Sequence, residues 1–257
     1  MTFLEAILLG IIEGFTEFLP ISSTAHLVIA SQALSIPESN FLSSFIIAIQ
    51  LGAIASVILV YWRKLFFDFE TMTRVLFAFI PTAVIGFLLY KLVKGFLLEN
   101  LTIIAWSLLI GGVVLLIFER WQKNVPERTT PLSEMPYSTA ILIGCIQAIA
   151  IIPGVSRAGA TIVGGMVLGL GRSEIVEFSF LLAIPTMLAA TGYDLLKTGS
   201  TFAVREWELL SVGFIVAFIS AYAGIRFLVR FVQTRSFAGF GIYRIVLGAA
   251  LLIFLSQ

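Results

Sequence analysis

Two glutamates lie one helical turn apart in an apolar stretch near the start of the chain. Glu13 and Glu17 are four residues apart, so a helix would place both carboxylates on one face. Each charge near the centre of a bilayer costs about 2.5 to 3.5 kcal/mol on insertion scales, and two like charges add to that cost. The pair therefore needs a divalent cation, a basic partner or a proton on one carboxyl. A merely solubilising role is the less favoured interpretation.

Hydroxyl groups and the only histidine of the chain follow the glutamates. Ser22, Ser23 and Thr24 can cap a following helix, and His26 lies on the same face as these hydroxyls. Capping alone is the ordinary explanation of such a cluster. Beside two carboxylates, however, the cluster also supplies a hydroxyl, a base and an orienting acid, which together make an activated nucleophile. The spacing leaves open whether Ser23 or His26 attacks.

A second polar break, Pro153-Gly154-Val155-Ser156-Arg157, precedes a helix that is predicted to begin near Ala158. Free backbone N–H groups and the positive end of the helix dipole would face this break, so it can bind an anion. Arg157 adds a planar, permanently charged donor group that suits phosphate oxygens. The hydroxyls of Ser156 and Thr161 lie close to it in sequence. The break therefore predicts a phosphate site.

Each of the two candidate arginines, Arg157 and Arg244, also has a structural explanation. Arg157 could pair structurally with Glu13 or Glu17, because an unpaired charge at membrane depth is costly. Arg244, which follows Tyr243, is a second candidate phosphate ligand. An arginine near a helix end can instead extend its guanidinium to the membrane interface.

The composition places these residues in a membrane protein. Of 257 residues, 59% are hydrophobic and 12% are charged, whereas a soluble domain carries about 25% charged residues. A net charge of +1 without a Lys/Arg-rich stretch makes nucleic acid an unexpected partner. Six stretches are long enough to cross a bilayer, and they run over residues 41–62, 75–93, 101–118, 175–196, 209–229 and 237–255.

Two further apolar stretches are too short to cross alone. They run from Leu4 to Leu19 and from Ala140 to Ile152, and each ends in one of the polar breaks before a second short apolar stretch. Non-helical backbone at membrane depth is tolerated only where protein or a water-filled cavity surrounds it. Each segment therefore predicts a re-entrant helix hairpin that carries a site.

The two halves of the chain repeat each other. Gly10, Glu13 and Ser22 match Gly144, Gln147 and Ser156 at an offset of 134, and residues 44–49 and 112–118 match 179–184 and 248–254 at 135 and 136. We therefore predict one all-α integral membrane domain, 1–257, of two inverted repeats. The halves are 1–121 and 138–257, joined by a cytoplasmic loop 122–137. Each half has one re-entrant hairpin and three transmembrane helices.

Basic residues set the expected orientation. Because each half has three spans, the halves insert in opposite directions, and ten basic residues then face one side against four on the other. The positive-inside rule makes the first side cytoplasmic. Both termini and the entrance of the first hairpin are therefore predicted outside. The ten residues are Arg63, Lys64, Arg74, Arg120, Lys123, Arg128, Arg172, Arg226, Arg230 and Arg235; the four are Lys91, Lys94, Lys197 and Arg205.

The two polar segments resemble the signature segments of the undecaprenyl-diphosphate phosphatase family, which is linked to bacitracin resistance in bacteria. They are Glu13-Gly-Phe-Thr-Glu17-Phe-Leu-Pro-Ile-Ser-Ser23-Thr-Ala-His26 and Pro153-Gly-Val-Ser156-Arg157-Ala-Gly-Ala-Thr161. The resemblance extends over essentially the whole chain in size, hydropathy and duplication. It implies hydrolysis of undecaprenyl diphosphate to the monophosphate carrier of cell-wall synthesis, in the bacterial plasma (inner) membrane, at an active site that opens to the outer face.

The resemblance also implies roles for residues. Glu13 and Glu17 would be the acidic pair that holds a divalent cation, Mg²⁺ or Ca²⁺. Glu17, Ser23, His26 and Arg157 would be catalytic, and Ser22, Gly154, Ser156, Arg157, Thr161 and Arg244 would contact the phosphates. Many members have Ser in place of Ala158 and Gly in place of Ala25. The first difference removes one hydroxyl from the second break.

Expected partners are a polyprenyl diphosphate and membrane lipids, and a homodimer is compatible with them. The alternative from another class is a secondary transporter or lipid flippase, because inverted repeats with broken helices are common there. Lipid phosphatases with two catalytic histidines are disfavoured, since His26 is the single histidine.

Overall fold

The computed structural model describes residues 1–98, 100–122, 131–234 and 236–256. Within these residues the chain is helical, without strands. Half of the predicted loop 122–137 lies outside them, as do Lys123, Arg128, Arg235 and the side chains of Arg226 and Arg230. The helices are α1 (Phe3–Thr16), α2 (Ser23–Ala33), α3 (Asn40–Phe67), α4 (Phe69–Leu92), α5 (Leu101–Gln122), α6 (Tyr137–Ala148), α7 (Arg157–Val167), α8 (Arg172–Thr198), α9 (Val204–Thr234) and α10 (Ala238–Leu255).

Six of these helices, α3, α4, α5, α8, α9 and α10, are long and apolar enough to span a membrane. They coincide with the six predicted spans, which confirms an all-helical, multi-pass membrane protein. α3 and α8 are the most buried of the six and pack against each other, because both lie at the centre of the bundle. Exposed Leu, Ile, Val and Phe side chains are concentrated on the outer helices, where lipid replaces water.

The four shorter helices form two helix–turn–helix segments with the same local geometry. Ser22 and Ser156 stand at the N-caps of α2 and α7 with positive φ angles of 70° and 75°. Their hydroxyls accept hydrogen bonds from the backbone N–H groups of Ala25 and Gly159. Positive φ is costly for a residue with a Cβ, so the same unusual conformation at both turns reflects a shared requirement. The N-cap role predicted for the first hydroxyl cluster is confirmed for Ser22.

Each short entry helix packs against a spanning helix of the other half. α1 lies on α9, and α6 lies on α4. The contacts are close because Gly10 and Gly144 have no Cβ. A Cβ on Gly10 would lie 2.8 Å from the carbonyl oxygen of Gly213, and one on Gly144 would lie 1.9 Å from that of Ala78. The halves therefore exchange packing partners, and each completes the surroundings of the other's turn.

Candidate active site

Two neighbouring cavities lie beside the two turns. The polar pocket has a volume of about 90 Å³ and is lined by Glu17, Ser22, Ser23, Thr24, Gln50, Ala150, Pro153, Gly154, Ser156, Arg157 and Met187. The apolar cavity has a volume of about 520 Å³ and is lined mainly by side chains of α3, α4 and α8. Thr24, Gln50 and Arg157 are polar residues that line both. The cavities therefore meet at these side chains.

Glu17 joins the two turns. Its Oε2 accepts a hydrogen bond of 2.5 Å from Ser23 Oγ, and its Oε1 accepts one of 2.6 Å from Arg157 Nη2. Arg157 and Glu17 are almost completely buried, with side-chain exposures of 8% and 4%. A buried charge pair needs further hydrogen bonds to offset its loss of hydration. Here Ser23 provides one of them, so hydroxyl, carboxylate and guanidinium form one continuous chain.

Residues of α7 and α8 orient Arg157. Its Nη1 donates to the carbonyl oxygen of Ser179 at 2.9 Å and to Ser179 Oγ at 3.2 Å. Thr161 Oγ1 lies 2.6 Å from Ser179 Oγ and donates to the carbonyl oxygen of Arg157 at 2.9 Å. The buried Nε of Arg157 has no partner among the described residues. The guanidinium thus retains donor capacity for a ligand. Thr161 contacts Arg157 and Ser179 but lines neither cavity.

The polar pocket is also lined by residues of the two turns, namely Ser22, Gly154 and Ser156. Gly154 has a φ of 95°, which a residue with a Cβ rarely adopts. A Cβ there would also lie 2.7 Å from Cβ of Ser107. The turn therefore requires glycine, and its backbone approaches the pocket closely enough to serve an anion.

Glu13 lies behind Glu17 rather than in the pocket wall. It is fully buried, and neither of its carboxylate oxygens has a partner among the described residues. A buried carboxylate beside the carboxylate of Glu17 is too costly to persist as a bare charge, so it requires a cation or a proton. The described residues contain no group of three or more His, Cys, Asp or Glu side chains that could hold a metal. Mg²⁺ nevertheless fits a pair of carboxylates when phosphate oxygens and water complete its shell.

The ring nitrogens of His26 contact groups other than the hydroxyl of Ser23. Its Nδ1 lies 2.7 Å from the carbonyl oxygen of Ser22, which can only accept, so Nδ1 carries the hydrogen. Its Nε2 lies 2.7 Å from the hydroxyl of Tyr243, and the two rings are stacked. Both ring nitrogens are therefore engaged, and His26 lines neither cavity. The structure does not bring this predicted catalytic residue to the hydroxyl of Ser23.

Arg244, predicted as a phosphate ligand, braces the two turns instead. It is 2% exposed, and its guanidinium donates to the carbonyl oxygens of Pro20, Gly154 and Val155 at 3.1, 2.8 and 3.0 Å. Further donations reach the carbonyl oxygens of Ser107 and Leu108 in α5. These contacts engage the guanidinium group, and Arg244 lines neither cavity. The turn carbonyls that Arg244 satisfies belong to both helix–turn–helix segments.

Three residues of this site were not predicted. Ser179 had a signal, because it belongs to the repeated Ser-Phe pairs at 44–45 and 179–180. Tyr243 was named only as the neighbour of Arg244. Gln50 is the one amide side chain in the first predicted span, 41–62, which could have marked it.

Known proteins with similar sequences bear on this arrangement. A sequence model of the family described as bacitracin resistance protein BacA matches residues 6–250. A protein of Sulfurihydrogenibium sp. is 50% identical over 96% of the chain and 97% of its own length. Relatives from Aquifex aeolicus and Thermus thermophilus are 48% and 44% identical, over 96% and 97% of the chain and 96% of their own lengths. All three relatives bear the name undecaprenyl-diphosphatase.

Proposed function

The chain belongs to the BacA family, and from this membership we propose that it hydrolyses undecaprenyl diphosphate to undecaprenyl phosphate and inorganic phosphate. It is then an enzyme that acts on a phosphoric anhydride, recycles the lipid carrier of cell-wall polymers and confers resistance to bacitracin. The observation that carries the proposal is the chain Ser23–Glu17–Arg157, which lines a small polar pocket continuous with an apolar cavity.

The two cavities suit the two parts of a polyprenyl diphosphate. The polar pocket, at about 90 Å³, equals a few water volumes of about 30 Å³ each, which is room for one phosphoryl group. The apolar cavity, at about 520 Å³, accommodates the first isoprene units of the tail between α3, α4 and α8. The rest of a long tail then lies in the surrounding lipid.

We assign the nucleophile to Ser23. Its hydroxyl lines the polar pocket and already donates to Glu17, so the carboxylate can take the proton as Oγ attacks the terminal phosphorus. The Oγ–P bond forms while the bond from phosphorus to the bridging oxygen breaks, and the prenyl monophosphate leaves. Water then attacks the phosphoserine, which releases inorganic phosphate and restores Ser23.

Arg157 balances charge during this exchange. In the free enzyme it neutralises Glu17. When the diphosphate binds, its unpartnered Nε and its Nη atoms can donate to phosphate oxygens. The backbone of the turn at Gly154 and Ser156 adds the positive end of α7. These groups stabilise the negative charge of the transferring phosphoryl group. Arg244 holds both turns in place without touching the substrate.

We further propose that Glu13 and Glu17 hold a divalent cation, Mg²⁺ or Ca²⁺, together with phosphate oxygens and water. The unpartnered, fully buried oxygens of Glu13 support this assignment. Such an ion would neutralise phosphate charge and orient the diphosphate.

The finer architecture is proposed as two inverted repeats, 1–121 and 138–257, in the bacterial inner membrane. The matched caps at Ser22 and Ser156 and the exchanged packing of α1 and α6 support this arrangement. Both termini would lie outside, with the site open to the outer face. A homodimer stays a prediction.

Phosphate release tests the activity. The purified protein, in detergent with Mg²⁺, should release phosphate from farnesyl diphosphate, and Ser23→Ala should abolish release without unfolding the protein. A rapid acid quench should capture an acid-stable phosphoryl group on the peptide that contains Ser23. An acid-labile group on His26 would overturn the assignment of the nucleophile, and solute uptake without phosphate release would favour a transporter.

Cysteine labelling tests the orientation. In a Cys145→Ser background, an impermeant maleimide added to intact cells or spheroplasts should label Glu38→Cys and leave Ser173→Cys unlabelled. Both positions are exposed in the structure. The reverse pattern would contradict the proposed topology.

A further inference from the structure

The junction between the polar pocket and the apolar cavity carries an unassigned polar side chain. The residues that line both are Thr24, Gln50, Ala150, Pro153, Arg157 and Met187. Three of them can donate hydrogen bonds. Thr24 and Arg157 belong to the two turns, whereas Gln50 comes from the middle of α3. A spanning helix thus supplies a polar group at the one place where the head and tail of a substrate would meet.

The position of the junction determines which part of the substrate lies there. This step rests on the proposed function. If the terminal phosphoryl group fills the polar pocket beside Ser23 and the tail occupies the apolar cavity, the phosphate that stays with the tail lies between them. It must therefore lie next to Gln50.

Gln50 is suited to bind this tail-side phosphate. It is 8% exposed, and the one hydrogen bond that the described residues give its side chain runs from Nε2 to Thr24 Oγ1 at 3.3 Å. An amide nitrogen carries two hydrogens, so one remains available for a ligand. The amide of Gln50 therefore has donor capacity that its contact with Thr24 leaves unused.

The repeat provides an independent comparison. Residues 44–49 match 179–184 at an offset of 135, and the residue that corresponds to Gln50 is Pro185. The shared architecture of the halves therefore does not demand glutamine at this position. A local requirement in the first half accounts for it better.

We propose that Gln50 positions the leaving group by donating a hydrogen bond from Nε2 to a non-bridging oxygen of the tail-side phosphate. That phosphate gains negative charge when the bond to the bridging oxygen breaks. A hydrogen bond to it therefore strengthens on the way to the transition state, and its loss lowers kcat more than it raises KM.

Product inhibition separates this role from a structural one. Farnesyl monophosphate retains the tail-side phosphate, whereas inorganic phosphate occupies the polar pocket alone. Gln50→Leu should lower kcat for farnesyl diphosphate about 10- to 100-fold. It should raise the inhibition constant of farnesyl monophosphate about tenfold and leave that of inorganic phosphate unchanged.

Gln32→Leu is the matched control, because Gln32 in α2 is exposed and lines neither cavity. It should leave the ratio of the two inhibition constants as in the wild type. Gln50→Glu keeps the side-chain volume and places a carboxylate against the phosphate. It should therefore weaken the binding of farnesyl monophosphate more than Gln50→Leu does. It also serves if Gln50→Leu does not fold.

Equal changes in both inhibition constants, or the same change of ratio in Gln32→Leu, would overturn the assignment of Gln50. Wild-type turnover of farnesyl diphosphate is measured in the same assay and tests the proposed function separately. A wild-type protein that binds farnesyl monophosphate but releases no phosphate would refute the hydrolysis. The ratio of the binding constants of the two products would then still show whether Gln50 binds the tail-side phosphate.

Discussion

Ser23 Oγ donates to Glu17 Oε2 at 2.5 Å, whereas His26 is held between the carbonyl oxygen of Ser22 and the hydroxyl of Tyr243. The proton acceptor nearest to the candidate nucleophile is therefore a carboxylate. The proposed reaction therefore uses a serine–glutamate pair, whereas the spacing in the sequence left open whether Ser23 or His26 attacks.

Glu17→Gln should lower kcat by about 10² to 10⁴, since the isosteric amide keeps a hydrogen bond to Ser23 but cannot accept its proton. Initial rates of phosphate release in detergent measure the effect. Glu38→Gln, at an exposed position, serves as the control and should retain full activity. Wild-type rates in Glu17→Gln would exclude the carboxylate as base.

Arg157→Gln should destabilise the protein by about 3–5 kcal/mol, because it leaves the carboxylate of Glu17 buried without its charge partner. The double variant Glu17→Gln/Arg157→Gln should be more stable than Arg157→Gln alone, since no charge is then left unpaired. Unfolding in mixed micelles with increasing SDS measures both. Equal or additive losses would indicate that the pair contributes little to stability.

Glu13→Gln should raise the Mg²⁺ concentration for half-maximal activity about tenfold or more, because it removes one proposed carboxylate ligand. A titration of phosphate release with Mg²⁺ measures this shift. If Glu13 carries only a proton, the isosteric amide will leave the titration unchanged. Glu5→Gln is a control in the same helix, at its capping box and far from the turn.

Gly111→Ala should destabilise the protein by about 1–3 kcal/mol and lower kcat, because a Cβ there would lie 1.9 Å from Nη2 of Arg244. The guanidinium cannot move aside without losing its bonds to the two turns. Thermal unfolding and phosphate release measure the two effects. Gly192→Ala is the control, since a Cβ at Gly192 would meet nothing within 4 Å. Equal behaviour of the two variants would show that Arg244 is free to adapt.

The sequence predicted those features that depend on local pattern. Span length and the two polar breaks gave six spanning helices and two short helix pairs, and serine at the start of α2 predicted its cap. A pairing of Arg157 with Glu13 or Glu17 was one alternative for the arginine, because an unpaired buried charge is costly, and the structure pairs it with Glu17. The orientation of His26 could not be predicted, since it depends on Tyr243, which lies 217 residues away. The contacts of Arg244 could not be predicted for a similar reason, because the carbonyls that it satisfies belong to turns distant in the chain.

The pairing of Glu17 with Arg157 imposes an order on biosynthesis. These residues are 140 positions apart, so at about 5–20 residues per second a ribosome needs roughly 7 to 30 s to make the second after the first. During that interval α1 also lacks α9, against which it packs. We therefore expect the acidic first segment to stay at the water–lipid boundary, where its carboxylates are hydrated, until the later half of the nascent chain arrives. Delayed insertion of the N-terminal segment is thus a direct consequence of building one ion pair from both ends of the polypeptide.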